Sequence, residues 1–142
     1  MSTIKIKLSS EDIGYINLFE NVTKAGVKDC IVDAQREKIM FVVNEGQAGI
    51  AIGKNGINIK NLQERVKKRI EILEYSNDPI KFLSNVFRPI KLTNAYISEH
   101  SDGKKVIHAT LSRDRLGMLK SKIRVAKELM PKYFNFDDMV FS

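Results

Sequence analysis

Cysteine is almost missing from this chain: Cys30 is the only one in 142 residues. An internal disulfide is therefore excluded, and the composition fits a reducing compartment. Long apolar runs are missing too. No stretch approaches the roughly 18 consecutive apolar residues that a membrane span needs. The first residues, Met1 to Leu8, alternate apolar and polar side chains and lack the apolar centre of a secretory signal. The expected location is the cytoplasm, with no membrane contact.

Groupings that carry catalysis or hold a metal are also wanting. His100 and His108 lie on or beside one hairpin pattern with no cysteine or further histidine at ligand spacing, which favours ordinary strand residues. Cys30 sits in a β-rich run and is expected to be buried and unreactive. The phosphate loop of nucleotide hydrolases needs wider-spaced glycines and a Ser or Thr after its lysine. Here Gly49 and Gly53 are four apart and Asn55 follows Lys54, so that match fails. No acid–base pair or activated nucleophile is evident. No enzymatic activity, metal or cofactor is expected.

What the chain does have is positive charge in two places. Its net charge is +7, a weak pointer to a polyanionic partner. Residues 53–69 set Lys54, Lys60, Arg65, Lys67, Lys68 and Arg69 against Glu64 alone, a local +5. Residues 113–132 set Arg113, Arg115, Lys120, Lys122, Arg124, Lys127 and Lys132 against Asp114 and Glu128, again +5. These two segments carry the whole excess, and the remainder of the chain is negative.

The hydrophobic pattern divides the chain in two at Asn77-Asp78-Pro79, giving segments 1–76 and 77–142. In the first, Ile4, Ile6 and Leu8 alternate as on a short strand. Ser9 or Ser10 can cap a helix whose apolar face is Tyr15, Leu18, Phe19 and Val22, with Gly26 as its stop. Val27–Ala34 and Lys38–Val43 read as a hairpin. A short helix over Gln47–Ile52, a glycine loop, a helix carrying Ile59, Leu62, Val66 and Ile70, and a strand from Arg69 to Tyr75 follow. In the second segment Asp78 caps a helix with Pro79 in its first turn, which ends before Pro89. Ile90–Ser98 and Lys104–Leu111 form a hairpin around Asp102-Gly103. A helical segment from Arg115 to Tyr133, with Ile123, Ala126, Leu129 and Met130 inward, leads through Asp137-Asp138 to a last strand at Met139–Phe141. Both segments read helix, strand, strand, helix, helix, strand. The expected class is α+β, in modules of three strands covered on one face by helices.

The loop Gly53-Lys54-Asn55-Gly56 is gripped by Ile50 and Ile52 before it and Ile57 and Ile59 after it. Glycines admit backbone conformations that a Cβ forbids. A helix starting just beyond such a loop offers unpaired N–H groups to an anion. An isolated GxxG is an ordinary turn; here it follows a hairpin and precedes a basic helix. The combination resembles the K-homology (KH) signature, and the element order resembles its type II version. The resemblance implies clamping of about four nucleotides of single-stranded RNA or DNA. On these positions Gly53 and Gly56 would let the sugar–phosphate backbone approach, and N–H groups near Gly56 and Ile57 would meet phosphate. Lys54 would add charge and Asn55 a hydrogen bond. Ile50, Ile52 and Ile59 would line the groove on which bases rest, Ile59 being equally readable as core. Lys60, Lys67 and Lys68 either keep a helix soluble or contact nucleic acid, and their clustering favours the second reading.

The equivalent position in the second segment, Gly117-Met118-Leu119-Lys120, has lost its second glycine. It is either a degenerate module kept for packing or an electrostatic track through Arg113, Arg115, Lys120, Lys122 and Arg124. Two KH modules with so short a connection resemble the archaeal-type NusA-like transcription factors over essentially the whole chain. That resemblance implies association with nascent RNA, and with RNA polymerase or the nascent transcript complex, in elongation or termination. A ribosome-associated KH protein, or a protein–protein adaptor with degenerate modules, is the alternative.

Overall fold

The computed structural model describes Ile4–Lys5 and residues 10–142. The chain divides into two compact units, Met1–Ser76 and Asn77–Ser142.

In the first unit a short strand β1 (Ile4–Lys5) is followed by helix α1 (Ser10–Thr23), strands β2 (Val27–Asp33) and β3 (Lys38–Val43), helices α2 (Ala48–Ile52) and α3 (Ile57–Val66), and strand β4 (Arg69–Glu74). The sheet order is β1-β2-β3-β4, antiparallel except for the parallel pair β3–β4. The sheet thus has one more strand than the expected three, because the N-terminal segment pairs with β2. Of the expected strand at Ile4 to Leu8, residues 6–8 lie outside the described residues.

Alternation along the strands decides which side meets the helices. Cys30, Ile39, Phe41, Val43 and Ile70 face a core completed by Phe19 of α1, Ala51 of α2 and Leu62 of α3. The Phe19 and Phe41 rings stack at 4.2 Å. Tyr15, Leu18 and Val22 pack against this cluster, as their helical spacing leads one to expect.

Two boundaries differ from the sequence expectation. Helix α1 stops at Thr23, and the left-handed residue is Lys24 (φ 66°), not Gly26. Thr23 Oγ1 donates to the Phe19 carbonyl and accepts from the Ala25 amide, so the helix end is satisfied before Gly26 is reached. Gly26 serves close approach instead: a Cβ there would collide with the Asn44 side chain. Helix α3 ends at Val66, turning at Lys67 (φ 59°), so Ile70 belongs to β4 and not to the helix.

The second unit runs α4 (Pro79–Phe87), β5 (Leu92–Glu99), β6 (Lys105–Leu111), α5 (Leu116–Tyr133) and β7 (Asp138–Phe141), with sheet order β5-β6-β7. Asp78 caps α4 by accepting from the Ile80 amide at 3.0 Å, and Pro79 opens the helix. Phe82 meets Tyr133 edge-on and Phe134 at a tilt, and Phe87 meets Phe141. The β5–β6 turn uses Gly103 at φ 87°, with Asp102 accepting from the Lys104 amide.

Between β6 and β7 the sequence reading placed two helices; one continuous helix is found. The remaining Gly117 has no positive φ and does not break the helix, which continues to Tyr133 with Pro131 in its last turn. The buried face of α5 is Ser121, Lys122, Val125, Ala126, Leu129 and Met130; the expected Ala126, Leu129 and Met130 lie on it, while Ile123 is only half-buried.

Candidate nucleic-acid interface

Helices α2 and α3 meet at the turn Gly53–Gly56. Gly53 adopts φ 78°, ψ 169°, Asn55 φ 57°, ψ 24°, and Gly56 φ 74°, ψ 20°. At Gly53 both the conformation and the space demand glycine, since a Cβ would stand 2.8 Å from Asn58 Nδ2. At Gly56 the surrounding space is open, and only the conformation demands it. Asn55 is of the non-glycine type that tolerates the left-handed region.

Hydrogen bonds fix this turn from both sides. The Gly53 amide donates to the Gly49 carbonyl at 3.0 Å and the Gly56 amide to Gly53 at 3.1 Å. The Ile57 amide donates to Lys54. The donors at Gly56 and Ile57, which sequence reasoning aimed at phosphate, are therefore engaged within the turn. The amides of Lys54 and Asn55 have no hydrogen-bond partner among the described residues. The amides left without a partner among the described residues are thus those of the two middle residues of the loop. Asn58 adds a brace that the sequence did not reveal: its Nδ2 donates to the Ile50 carbonyl at 3.0 Å, tying the end of α2 to the start of α3.

Two concave surfaces flank the turn. A shallow seat of about 340 Å³ is lined by Lys54, Asn55, Ile57 and Lys60. A groove of about 510 Å³ runs beside it, lined by Ile52, Gly56, Ile59, Lys60, Gln63, Ile70, Glu71 and Ile72. Ile52 and Ile57 are 41% and 61% exposed, so a ligand laid on them would remove apolar surface from water. Ile59 resolves its two readings by serving both: it packs against the core and forms part of the groove. Ile50 is exposed but does not line the groove. It stands two residues from Ile52, about 200° round a helix. Ile70 and Ile72 of β4 complete the wall. Lys67 and Lys68 lie at the far end of α3, away from the turn.

In the second unit Arg113, Arg115 and Lys120 are exposed and Arg124 is half-buried. Lys122 is 4% exposed and cannot belong to an exposed basic track; it is one of the buried residues of α5. Between the two arginines, Asp114 accepts from Ser112 Oγ at 2.6 Å. That bond, with Arg115 and Lys91 nearby, holds its carboxyl below the ordinary range and keeps it charged, which offsets part of the arginine charge. No glycine turn like that at Gly53–Gly56 precedes α5. Among the described residues no group of acidic, histidine and cysteine side chains is arranged to hold a metal ion. Cys30 is fully buried, and burial pushes its thiol up to about 12. His108 is a strand residue, accounted for by stacking on Tyr96 and by a 2.9 Å hydrogen bond with Ser98. Among the described residues no helix is long and apolar enough to cross a membrane.

This geometry meets independent comparisons. The KH domain family matches residues 14–99. The probable transcription termination protein NusA of Methanococcus vannielii is 42% identical over 117 residues, covering 80% of this chain and 66% of that protein. The protein of the same name from Halococcus morrhuae is 31% identical over 140 residues, covering 96% of this chain and 98% of that one. The chain thus spans just under two thirds of the first relative and nearly all of the second. The crystal structure of APE1850 superposes with a TM-score of 0.74 at 31% identity, covering 95% of this chain and 100% of that chain. Family match, relatives and fold agree: the chain belongs to the KH domain family, within the archaeal group named probable transcription termination protein NusA.

Proposed function

We propose that the first unit clamps single-stranded RNA at Gly53–Gly56 and that the protein works, without catalysis, on nascent RNA in transcription elongation or termination. The observation that carries this reading is the pair of unpartnered amides at Lys54 and Asn55, held between two positive-φ glycines beside an apolar groove. Phosphate oxygens would accept from these two amides, with Lys54 and Lys60 supplying charge. The missing Cβ at Gly56, where the surrounding space is open, lets the sugar–phosphate backbone come close. Bases would then lie on Ile52, Ile59, Ile70 and Ile72. Phosphate contacts set affinity and base contacts set preference. The four-residue turn engages few phosphates, so added attraction from Arg113, Arg115, Lys120 and Arg124 of the second unit would raise the rate of encounter without a second clamp. The names of the relatives support a role with the nascent transcript complex or RNA polymerase, and a cytoplasmic location goes with it.

The test is titration of labelled single-stranded and duplex RNA at several salt concentrations. Preference for single strands, with a log–log salt slope of about −0.7 per phosphate contacted, is expected. The variant Lys54→Asp/Asn55→Asp should lose RNA while keeping its circular dichroism spectrum. Unchanged affinity in that folded variant would remove the loop from consideration.

A further inference from the structure

At the far end of α3 lies a second concavity, of about 340 Å³, lined by Arg36, Glu37, Gln63, Lys67, Lys68 and Arg69. It is built from the β2–β3 turn, the last turn of α3 and the first residue of β4. These three segments are sewn together. The Arg69 amide donates to the Glu37 carbonyl at 3.0 Å and the Lys67 amide to the Gln63 carbonyl at 2.9 Å. Gln63 Oε1 accepts from the Ile70 amide at 3.2 Å, and Arg69 Nη2 donates to the Arg36 carbonyl at 3.4 Å.

Its charges are unbalanced. Arg36 is paired with the buried Asp33 at 3.2 Å, and Lys38 nearby is neutralised by Glu71 at 2.9 Å. Lys67, Lys68 and Arg69 have no carboxylate partner among the described residues, and Glu37 is the only acid in the lining. Like charges are gathered on a braced rim instead of being dispersed, which is the arrangement that receives a polyanion.

Gln63 is common to this pocket and to the apolar groove. From Gly56 to Lys67 the helix advances about 16 Å at 1.5 Å per residue. That is about two screening lengths at physiological salt, ~8 Å each, so the pocket is not an extension of the field around the glycine turn. It requires a phosphate of its own. We infer that Arg36, Lys67, Lys68 and Arg69 form a second phosphate site, which takes the backbone of the same RNA strand after it leaves the groove past Gln63. This rests on the proposed clamping of RNA at Gly53–Gly56, and it lengthens the footprint of the first unit beyond the nucleotides held there.

The experiment compares mixed-sequence RNA of four and of ten nucleotides, both fluorescein-labelled, against the full chain. In Lys67→Asn/Lys68→Gln, asparagine suits the left-handed position 67. This variant should bind the ten-nucleotide RNA roughly tenfold more weakly at low salt, with the salt slope reduced by about 1.4 for two lost contacts. Affinity for four nucleotides should not change. Arg69→Gln should lose part of the same increment, and Lys67→Arg/Lys68→Arg should keep it. Equal losses at both lengths, or no loss at ten, would overturn the site. The clamp is scored separately: if Lys54→Asp/Asn55→Asp binds both lengths normally while the pocket variant does not, the clamp fails and the pocket stands. Poly-glutamate is the control for an acidic protein. Poly-glutamate binding that disappears in the pocket variant, with ten-nucleotide binding unchanged, would also overturn the RNA assignment.

Discussion

The side-chain amide of Asn58 donates to the carbonyl oxygen of Ile50 at 3.0 Å, and the same amide occupies the space that a Cβ at Gly53 would need. One side chain therefore both fastens the two helices around the turn and makes residue 53 a glycine. Asn58→Ala is expected to leave the fold intact and weaken RNA binding several-fold, because the turn loses its brace. Comparison of urea midpoint and RNA affinity in the same preparation checks this. A full loss of stability with unaltered residual affinity would contradict it.

The two glycines should respond differently to alanine. At both, a left-handed or glycine-only conformation costs an alanine about 1–3 kcal/mol. Gly53→Ala also drives its Cβ into Asn58, whereas Gly56→Ala meets open space. Denaturant unfolding should show Gly53→Ala to be the more destabilised of the two. The double change Gly53→Ala/Asn58→Ala should recover part of that difference, since the collision partner is gone.

Asp78 offers a prediction free of any ligand. Its carboxylate accepts from the Ile80 amide at 3.0 Å, so Asp78→Ala should cost about 1 kcal/mol as a lost helix cap. A lowered urea midpoint with unchanged slope is the expected result. RNA affinity should be the same as in the parent protein.

Cys30 is fully buried and its thiol is raised to about 12. Desolvation is the main cause, with the Asp12 and Asp29 carboxylates adding to it. Native protein should resist thiol reagents at pH 8 and label fully once denatured. The sign of the pH effect follows from the same shift. Once the pH exceeds the thiol's ordinary value, the unfolded chain loses this proton while the folded chain retains it. Stability should hold below that pH and decline as the pH climbs toward 12. A Cys30→Ala variant should show a smaller decline, because Tyr15, whose hydroxyl is also raised by burial and its bond to Glu11, still contributes.

Lys122 and Lys120 separate charge from packing. Lys120 is exposed, and Lys122 is buried. Lys120→Gln should flatten the salt dependence of RNA binding and leave unfolding unchanged. Lys122→Gln should lower stability and leave the salt slope alone.

Local patterns were legible in the sequence wherever neighbours in the chain determine the outcome. The Asp78-Pro79 helix start, the Asp102-Gly103 turn, both hairpins and the glycine turn all depend on residues within a few positions of one another. So did the class: α+β, two tandem KH modules. The missed features depend on distant partners. The Arg69 guanidinium reaches the Arg36 carbonyl only once β4 lies alongside β3, and Asn58 reaches Ile50 only once the turn is folded. Ile70 and Ile72 enter the groove because β4 pairs in parallel with β3 next to α3. Lys122 was misread because a lysine stem can lie among apolar side chains, so a charged letter does not by itself mark an exposed position. At the end of α1 the glycine was visible, but Thr23 had closed the helix by hydrogen bonds that composition does not display.

Ile59 is both a wall of the groove and part of the packing around Phe41 and Leu62. With RNA held in the groove as proposed, recognition and folding are consequently not independent traits of this protein. A larger or smaller residue there changes the groove and the interior at once, so variation that retunes the ligand passes through a stability threshold first. The reverse also holds: a ligand resting on Ile59 protects the interior behind it, and the melting temperature should climb with ligand concentration. Selection for grip and selection for endurance act on the same methyl groups.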